Sequence, residues 1–489
     1  MNERLIRLAR LTAGLLVALV VATTYWQTWA RPGLAARQDN EVRRVEEFQV
    51  RRGAIVAGGR TLARNISERS DGRVFFLRRY PQHGLAAHVV GYSTIARSRA
   101  GLEQSRNGVL TGTERGLSGL VESNLDALDG EPVAGDALVL SLDPKAQEAA
   151  LAGLGSRCGA VVVLDPRTGR VRVMVSTPTF DPELVEERFA EIAAIEADCE
   201  PGAPLLNRAT AGLYAPGSTF KVVTAAAALE SGDFTPASQF VDPGFCLVYG
   251  KRVSNFDTSR PFGKITLARA LQHSVNSVFC EIGKTLGAKA ILDQARRFGF
   301  YGLPPLETPA GERAVSGLYR DGAPWRPKGD PDVDAGRLAF GQERMLVTPL
   351  QMAMVAGAIG AGGTVMRPSV IDRVISRRGT TRRATAPSEL GRAISPETAQ
   401  AVAQMMVNAV ESGTGTAARI SGYRIGGKTG TAETGVPGRN TVWFVAFAGE
   451  PGAPPEAAIA VVVEAQASTG GSTAAPIARA VLEALLTPG

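Results

Sequence analysis

Hydrophobic and polar positions separate an apolar N-terminal segment from a long mixed remainder. Residues 11–30 contain no charged side chain and follow several arginines in residues 1–10. As a helix, this run would rise about 30 Å, enough to cross a bilayer core. The preceding arginines predict a cytoplasmic N-terminus, so the rest of the chain is expected to be exported. A cleaved signal peptide is the alternative because the strongly apolar part is short, but no A-x-A cleavage site follows closely, which favours an uncleaved anchor.

Beyond the apolar segment, the pattern predicts two regions that differ in how closely the apolar stretches follow one another. Residues 35–50 are charged and predict a helical stalk, and residues 51–125 mix short strand-like pieces with loops rich in Gly, Arg and Ser. Continuous apolar stretches then predict strands near both ends of the remainder, around a mainly helical middle, which is typical of an α+β sandwich whose two ends share one sheet. The predicted strands are residues 137–142, 160–164, 171–175, 442–448 and 457–463, and the predicted helices are residues 144–154, 218–229, 267–286 and 476–486.

Composition narrows the possible functions. The chain has 489 residues, 4 Cys, 3 His and a net charge of +7. Four Cys in so long a chain exclude a small disulfide scaffold, and the scarcity of His weakens any Ser-His-Asp or multi-histidine site. The positive charge is spread along the chain, so it allows attraction to an anionic membrane, nucleic acid or wall polymer without identifying which.

The first motif with chemical content is Ser-Thr-Phe-Lys at residues 218–221, directly after a Pro-Gly pair. Residues 221–230 are rich in Ala and Val and predict a helix on which Ser218 and Lys221 share a face, with the amine within reach of the hydroxyl. That helix is apolar on nearly all sides, and burial favours a neutral lysine able to act as a base. A serine with a base one turn away is a nucleophile geometry. Taken alone, the pattern is more often a helix cap beside a solvated lysine.

The second motif is Ser-Val-Asn at residues 274–276. The Ser274 hydroxyl could pass a proton onward, and the Asn276 amide could orient both the lysine and a substrate amide. By itself this motif is an ordinary polar loop at a helix start.

The third motif is Lys-Thr-Gly-Thr at residues 428–431, which is preceded by a Gly-Gly pair and followed by the predicted strand that begins at residue 442. In an extended chain, Lys428 and Gly430 face one way, and Thr429 and Thr431 face the other. An edge strand that carries a cation and hydroxyls suits the capture of an extended peptide with a carboxylate. Alone, the motif is more often a solvated lysine in a turn.

The three motifs occur in this order, each on the element that its chemistry needs, and together they resemble the class B penicillin-binding proteins, the monofunctional D,D-transpeptidases of the bacterial wall. Ala57 and Gly58 stand where that family often has Asp-Arg, which resembles its actinobacterial-type branch, and residues 341–343 read Gly-Gln-Glu where Gly-Gln-Gly is common. Both departures leave elongation or division open as the role. Further segments that resemble the family are residues 52–55, 62–63, 88–92, 101–103, 207–209, 214–218 and 428–433.

The resemblance implies a fold and a division of the chain. The fold is an α+β penicillin-binding transpeptidase or β-lactamase-like sandwich, with an antiparallel sheet, helices on both faces and an all-helical subdomain. The implied parts are a cytoplasmic tail at residues 1–10, one transmembrane anchor at residues 11–30, an elongated non-catalytic pedestal at residues 35–136 and a transpeptidase domain at residues 137–489.

The resemblance also implies a serine-type D-Ala-D-Ala transpeptidase that works through a Ser218 acyl-enzyme. Lys221 would accept the Ser218 proton, and backbone N–H groups of Ser218 and Thr431 would hold the oxyanion. Ser274 would relay the proton to the leaving D-alanine. The expected catalytic residues are Ser218, Lys221, Ser274 and Asn276, and the expected substrate-binding residues are Lys428, Thr429, Gly430 and Thr431.

The implied partners are peptidoglycan stem peptides, β-lactams as inhibitors and a membrane glycosyltransferase of the elongation or division machinery. No cofactor, metal or nucleic acid is expected. Two alternatives stay open: a D,D-carboxypeptidase or β-lactamase, in which water resolves the acyl-enzyme, and a non-catalytic penicillin sensor or divisome scaffold.

The remaining reactive residue types have plainer interpretations. Cys158 and Cys199 could pair in an exported protein. Cys280 is interpreted as a small buried hydrophobe, and Cys246 has no assigned role. The residues interpreted as structural are His273, Trp443 in a strand core, and Asp165 and Asp181 in turns.

Overall fold

The structure is a computed structural model that describes residues 2–26, 47–70, 72–114, 134–248, 250–256, 261–329 and 332–487. Residues 35–46 of the predicted stalk and residues 27–30 of the predicted anchor lie outside the described residues. The long helices are α1 (Asn2–Tyr25), α2 (Pro144–Leu154), α3 (Lys221–Glu230), α4 (Asn276–Arg297), α5 (Pro349–Gly360), α6 (Pro396–Ser412) and α7 (Ala474–Leu486).

Strands make up most of the remaining regular structure. In chain order they are β1 (Ile55–Ala57), β2 (Arg60–Ser70), β3 (Arg73–Arg79), β4 (Ala137–Leu140), β5 (Gly159–Leu164), β6 (Val171–Thr177), β7 (Gln239–Asp242), β8 (Phe245–Val248), β9 (Lys251–Ser254), β10 (Gly263–Thr266), β11 (Ile371–Ile375), β12 (Thr381–Ala384), β13 (Arg424–Ala432), β14 (Asn440–Gly449) and β15 (Ala457–Gln466). Shorter elements include the helix Leu267–Gln272 and the 3-10 turn Gly217–Phe220.

The central sheet confirms the predicted fold class. It is antiparallel, with the strand order β13-β14-β15-β5-β6, so strands from both ends of the large region share one sheet. Helices α2 and α7 cover one face, and α5 covers the other against β14, β15 and β5. The strands are buried on both faces, which explains why they are continuous apolar runs in the sequence rather than alternating ones.

The single helix predicted over residues 267–286 is wrong. The structure has a short helix at Leu267–Gln272, a turn through Ser274, and then α4. Ser274 has φ 60°, in the left-handed region that a continuing right-handed helix cannot use. Gly287, with φ 76° and ψ 160°, interrupts the helical backbone again and kinks α4 further along.

A second sheet joins the two predicted domains. Its order is β12-β11-β4-β1-β2-β3, so pedestal strands pair with strands from beyond residue 137. Strand β1 runs parallel to β4 and antiparallel to β2. The predicted boundary between residues 136 and 137 stays a prediction, and this sheet crosses it.

Two of the family-like segments of the pedestal, residues 52–55 and 101–103, meet in a buried charge cluster. Glu103 is fully buried and accepts hydrogen bonds from Arg52 Nη2 at 2.7 Å and from Arg78 Nε at 2.6 Å. Burial alone would raise the pKa of Glu103, but Arg78 and Arg52 outweigh it and hold that pKa below its usual value. The cluster ties the chain before β1, strand β3 and the helix that carries Glu103 into one body.

Candidate active site

A tightly held turn presents Ser218 at the start of α3. The Gly217 N–H donates to Gly341 O at 3.0 Å, and Thr219 Oγ1 donates to Pro216 O at 2.8 Å. Gly217 has φ 51°, and a Cβ there would lie 3.0 Å from Thr431 O, so only glycine fits the turn comfortably. Ser218 itself is partly exposed, whereas the residues that follow it are buried.

Lys221 is buried and bonded to the second motif. Its Nζ donates to Ser274 O and to Asn276 Oδ1, both at 2.7 Å, and lies 3.3 Å from Ser274 Oγ. Burial, and then the neighbouring Lys428, hold the pKa of Lys221 well below its usual value. A neutral amine has two N–H donors, which the two 2.7 Å contacts use, so its lone pair is free to accept a proton.

Among the described residues, Lys221 Nζ makes no hydrogen bond to Ser218 Oγ. Helical spacing places the two side chains on one face, but the amine bonds to the turn before α4 instead. The Ser274 carbonyl and the Asn276 amide oxygen offer Lys221 two acceptors in a buried setting, which a single hydroxyl cannot match. Lys221 therefore brings the first and second motifs together, and Ser218 lies three residues before Lys221 in the partly exposed turn.

Lys428 connects the third motif to Ser274 of the second motif. It lies on β13 and is fully buried, and its Nζ donates to Ser274 Oγ at 2.8 Å and to Thr429 O at 2.9 Å. Burial lowers the pKa of Lys428 to about 7. The Ser274 hydroxyl thus bridges two lysine amines, which gives a path along which a proton can move.

The other third-motif residues have distinct environments along β13. Thr429 Oγ1 lies 2.7 Å from Thr414 Oγ1, and Thr431 Oγ1 accepts from Gly470 N at 3.4 Å. A Cβ on Gly430 would lie 2.8 Å from Thr219 Cγ2, so a glycine allows β13 to approach the Ser218 turn.

Sequence reasoning missed several residues of the site. Thr414 contacts the third motif from the end of α6, and the backbone of Gly470 contacts Thr431 from the loop after β15. Asn276 Nδ2 also donates to Ser254 O at 3.0 Å. No motif or spacing distinguishes these positions, because each is brought in by tertiary folding.

The interpretation of the cysteines needs a correction. Cys280 is not a free buried thiol, because it forms a disulfide with Cys246 that joins β8 to α4, and this also gives Cys246 a role. The two residues are 34 positions apart, and only the folded hairpin brings them together. Cys158 and Cys199 form the second disulfide, the pairing that the sequence analysis considered possible.

The remaining interpretations agree with the structure. Trp443 is buried in β14, and its Nε1 donates to Ala215 O at 3.0 Å. His273 stacks on Phe262 with ring centroids 5.0 Å apart. Asp165 and Asp181 accept backbone N–H groups two residues ahead, as turn carboxylates do.

Comparisons with known proteins match nearly the whole chain. A family model described as the penicillin-binding protein transpeptidase domain matches residues 159–483, and one described as the penicillin-binding protein A dimerisation domain matches residues 52–138. Peptidoglycan D,D-transpeptidase PbpA of Mycolicibacterium smegmatis is 35% identical over 517 residues, covering 100% of both chains. The PbpA of Mycobacterium tuberculosis is 34% identical over 512 residues, covering 99% of both. The structure of penicillin-binding protein A from M. tuberculosis as an imipenem acyl-enzyme has a TM-score of 0.80 and 31% identity, covering 91% of this chain and 100% of that chain.

Proposed function

Because the chain belongs to the class B penicillin-binding protein transpeptidases, we propose that Ser218 is the nucleophile of its peptidoglycan D,D-transpeptidase reaction. The observation that carries this proposal is the buried Lys221 amine, whose two donors are engaged by Ser274 and Asn276 beside Ser218. An amine held in this way is a base ready to take the serine proton.

In the proposed mechanism, Lys221 takes the hydroxyl proton as Ser218 Oγ bonds to the penultimate D-alanine carbonyl carbon. Backbone N–H groups of Ser218 and Thr431 hold the oxyanion. A Cβ added to Gly217 would lie 3.0 Å from Thr431 O, so the backbone before Ser218 is close to that of Thr431, which supports this pairing. The C–N bond then breaks, and the departing D-alanine amine takes its proton through Ser274. The amine of a second stem peptide attacks the ester, forms the cross-link and releases Ser218.

We propose that the third motif binds the terminal carboxylate of the donor stem peptide. Lys428 supplies N–H donors and, when it is protonated, positive charge, and Thr429 and Thr431 supply hydroxyl donors. A β-lactam presents a similar carboxylate beside a reactive amide, and the M. tuberculosis relative is known as acyl-enzymes with such drugs. We therefore expect β-lactams to acylate Ser218 in this protein.

The test is acylation by a fluorescent penicillin. Ser218→Ala should abolish labelling, and the matched control Ser231→Ala, at the far end of α3, should label like the wild type. Labelling of Ser218→Ala at the wild-type rate would show that the nucleophile is another residue.

Cross-linking of lipid-linked precursor, supplied with a glycosyltransferase, separates a transpeptidase from a penicillin sensor. Rapid turnover of a chromogenic β-lactam would instead indicate a hydrolase.

The proposed setting is the outer face of the cytoplasmic membrane. Helix α1 contains one stretch, Ile6–Tyr25, that is long and apolar enough to cross a bilayer. The arginines at its start support a cytoplasmic N-terminus and an exported catalytic domain. We propose that α1 and residues 51–125 bind a membrane glycosyltransferase that supplies nascent glycan. Photo-crosslinkers on the exposed end of β2 should capture that enzyme, and crosslinkers on exposed α7 positions should not.

A further inference from the structure

The Asn276 side chain is oriented from behind by the β8–β9 hairpin. Its Nδ2 donates to Ser254 O at 3.0 Å, and its Oδ1 accepts from Lys221 Nζ at 2.7 Å. A backbone carbonyl can only accept a hydrogen bond, so the amide nitrogen must face Ser254 and the amide oxygen must face the lysine. The position of the Ser254 carbonyl therefore decides whether Asn276 presents an acceptor to Lys221.

The next residue, Asn255, fixes that carbonyl and the start of α4 together. Its backbone N–H donates to Gly244 O at 2.9 Å, and its Oδ1 accepts from Ser277 N at 3.0 Å. Ser277 lies in the first turn of α4, where backbone N–H groups have no partner inside the helix. Val275, at the N-cap, offers no side-chain cap, so Asn255 supplies the cap from a separate element.

Asp242 completes the arrangement as a buried carboxylate at the meeting point of three segments. It accepts from Asn255 Nδ2 at 2.9 Å, from Ser277 Oγ at 2.5 Å and from the N–H groups of Gly244 and Phe262 at 2.8 and 2.9 Å. Burial alone would raise the pKa of Asp242, but the hydrogen bonds from Phe262, Ser277, Gly244 and Asn255 outweigh it and lower that pKa. The carboxylate thus binds the hairpin, the loop before β10 and α4 into one unit.

We propose that Asp242 and Asn255 are positioning residues for the transpeptidase reaction, which hold the Ser254 carbonyl and the first turn of α4 so that Asn276 directs Lys221. Neither residue belongs to the three motifs, and neither contacts Lys221 directly. This inference rests on the proposed function, because it assumes that Lys221 is the base for Ser218.

The arrangement has a consequence for the pKa of Lys221. Burial is the largest cause of its lowered pKa, and Lys428 on β13 is the charged group that adds to it. The other neighbours are uncharged: Ser274 from the turn, Asn276 from α4, and the Phe279 ring, whose centroid lies 5.5 Å from Nζ. A loosened hairpin would admit water, so the pKa of Lys221 should rise towards its ordinary value.

The experiment measures the second-order rate constant of acylation by a fluorescent penicillin from pH 5 to 9. Asn255→Ala and Asp242→Asn should each slow acylation at neutral pH by tenfold or more. They should also move the acid limb of the profile to higher pH, because protonated Lys221 cannot act as the base. A loss of stability alone would reduce the amplitude of labelling without moving that limb.

Two further variants make the test specific. The exchange Asp242→Asn with Asn255→Asp again places an amide opposite a carboxylate and keeps an acceptor for Ser277 N, so it should recover part of the rate and of the pH profile. Ser395→Ala removes the distant N-cap of α6, which lowers stability, and should leave both the rate and the pH profile unchanged.

The possible outcomes are distinct. Single variants with the wild-type profile, or with a reduced rate and an unmoved acid limb that the exchange does not rescue, would overturn the positioning role. Failure of the wild type to acylate, or acylation of Ser218→Ala at the wild-type rate, would overturn the proposed function instead.

Discussion

At the scale of single residues, the site is defined by two lysine amines removed from water and joined through one hydroxyl. Ser274 Oγ lies 2.8 Å from Lys428 Nζ and 3.3 Å from Lys221 Nζ. Burying an ammonium group is costly, so both amines are driven towards the neutral form. The cost in stability and the supply of a base are therefore the same physical effect.

Replacing Lys428 by Met should stabilise the protein while impairing acylation. The pKa of Lys428 is about 7 when folded, against 10.5 for an ordinary lysine, so the unfolded chain binds more protons between these values. The loss of folding stability caused by the buried amine is therefore greatest below pH 7 and becomes smaller as pH rises. Lys428→Met should raise the free energy of unfolding at pH 6 by about 1–2 kcal/mol, and this gain should disappear by pH 9.

Urea denaturation at the two pH values measures this difference. The control is Lys284→Met, because Lys284 is partly exposed and paired with Glu281 on the surface of α4. An equal gain for Lys428→Met at both pH values would contradict a lowered pKa for this amine.

The residue types of the site could be predicted from the sequence, but their partners could not. The spacing of Ser218 and Lys221 predicts a shared helix face, yet the amine bonds to Ser274 and Asn276, more than fifty positions later. Asp242 and Asn255 carry no sequence signal because their roles exist only after the hairpin packs on α4. Local spacing fixes only what lies within one element.

At the scale of elements, strands were easier to predict than the break before α4. Strands β5, β14 and β15 are short, continuous apolar runs buried on both faces and rich in β-branched or aromatic residues, a pattern that favours central strands over helices. The turn at Ser274 interrupts a sequence that is helical on both sides. Its left-handed backbone turns the serine carbonyl towards Lys221, and strain of this kind is found where a fold serves a site.

The Cys246–Cys280 disulfide should be a major source of stability for the β8–β9 hairpin. This hairpin pairs with no further strand in the described chain, and a two-stranded hairpin is only marginally stable without packing or a cross-link. The double change Cys246→Ser with Cys280→Ser should lower the free energy of unfolding by about 2–4 kcal/mol.

Chemical denaturation of the oxidised protein measures the loss. The matched comparison is Cys158→Ser with Cys199→Ser, which removes the other disulfide and leaves the hairpin intact. If reductant changes the stability of the Cys246/Cys280 double variant as much as that of the wild type, the second disulfide accounts for the effect.

At the scale of the whole molecule, the pedestal and the catalytic region share a core. One continuous cluster of buried residues includes Ile55, Leu62 and Leu102 from the pedestal and Phe220 and Val278 from the catalytic region. The sheet that crosses the predicted boundary adds backbone hydrogen bonds to that packing. A common core predicts one cooperative unfolding transition for the two regions.

Glu103→Ala tests this cooperativity. It leaves the guanidinium groups of Arg52 and Arg78 buried without their carboxylate, which should cost about 3–5 kcal/mol. In calorimetry of a chain without α1, the whole unfolding transition should move to lower temperature. This includes the unfolding of the catalytic region, which penicillin acylation stabilises. Glu68→Ala, at an exposed position on β2, should leave it in place. A second transition that stays at the wild-type temperature would show that the two regions unfold separately.

The apolar surface of α1 predicts that this helix attaches the protein to the membrane. Three of its leucines, Leu11, Leu15 and Leu19, are 60–64% exposed, and so much open apolar surface is compatible with a helix that spans a bilayer. A chain without residues 1–26 should move from the membrane fraction to the soluble fraction and acylate at the wild-type rate. An N-terminal tag on the full chain should remain on the mature membrane protein. Loss of the tag during export would show a cleaved signal peptide, and continued membrane binding of the shortened chain would place the anchor elsewhere.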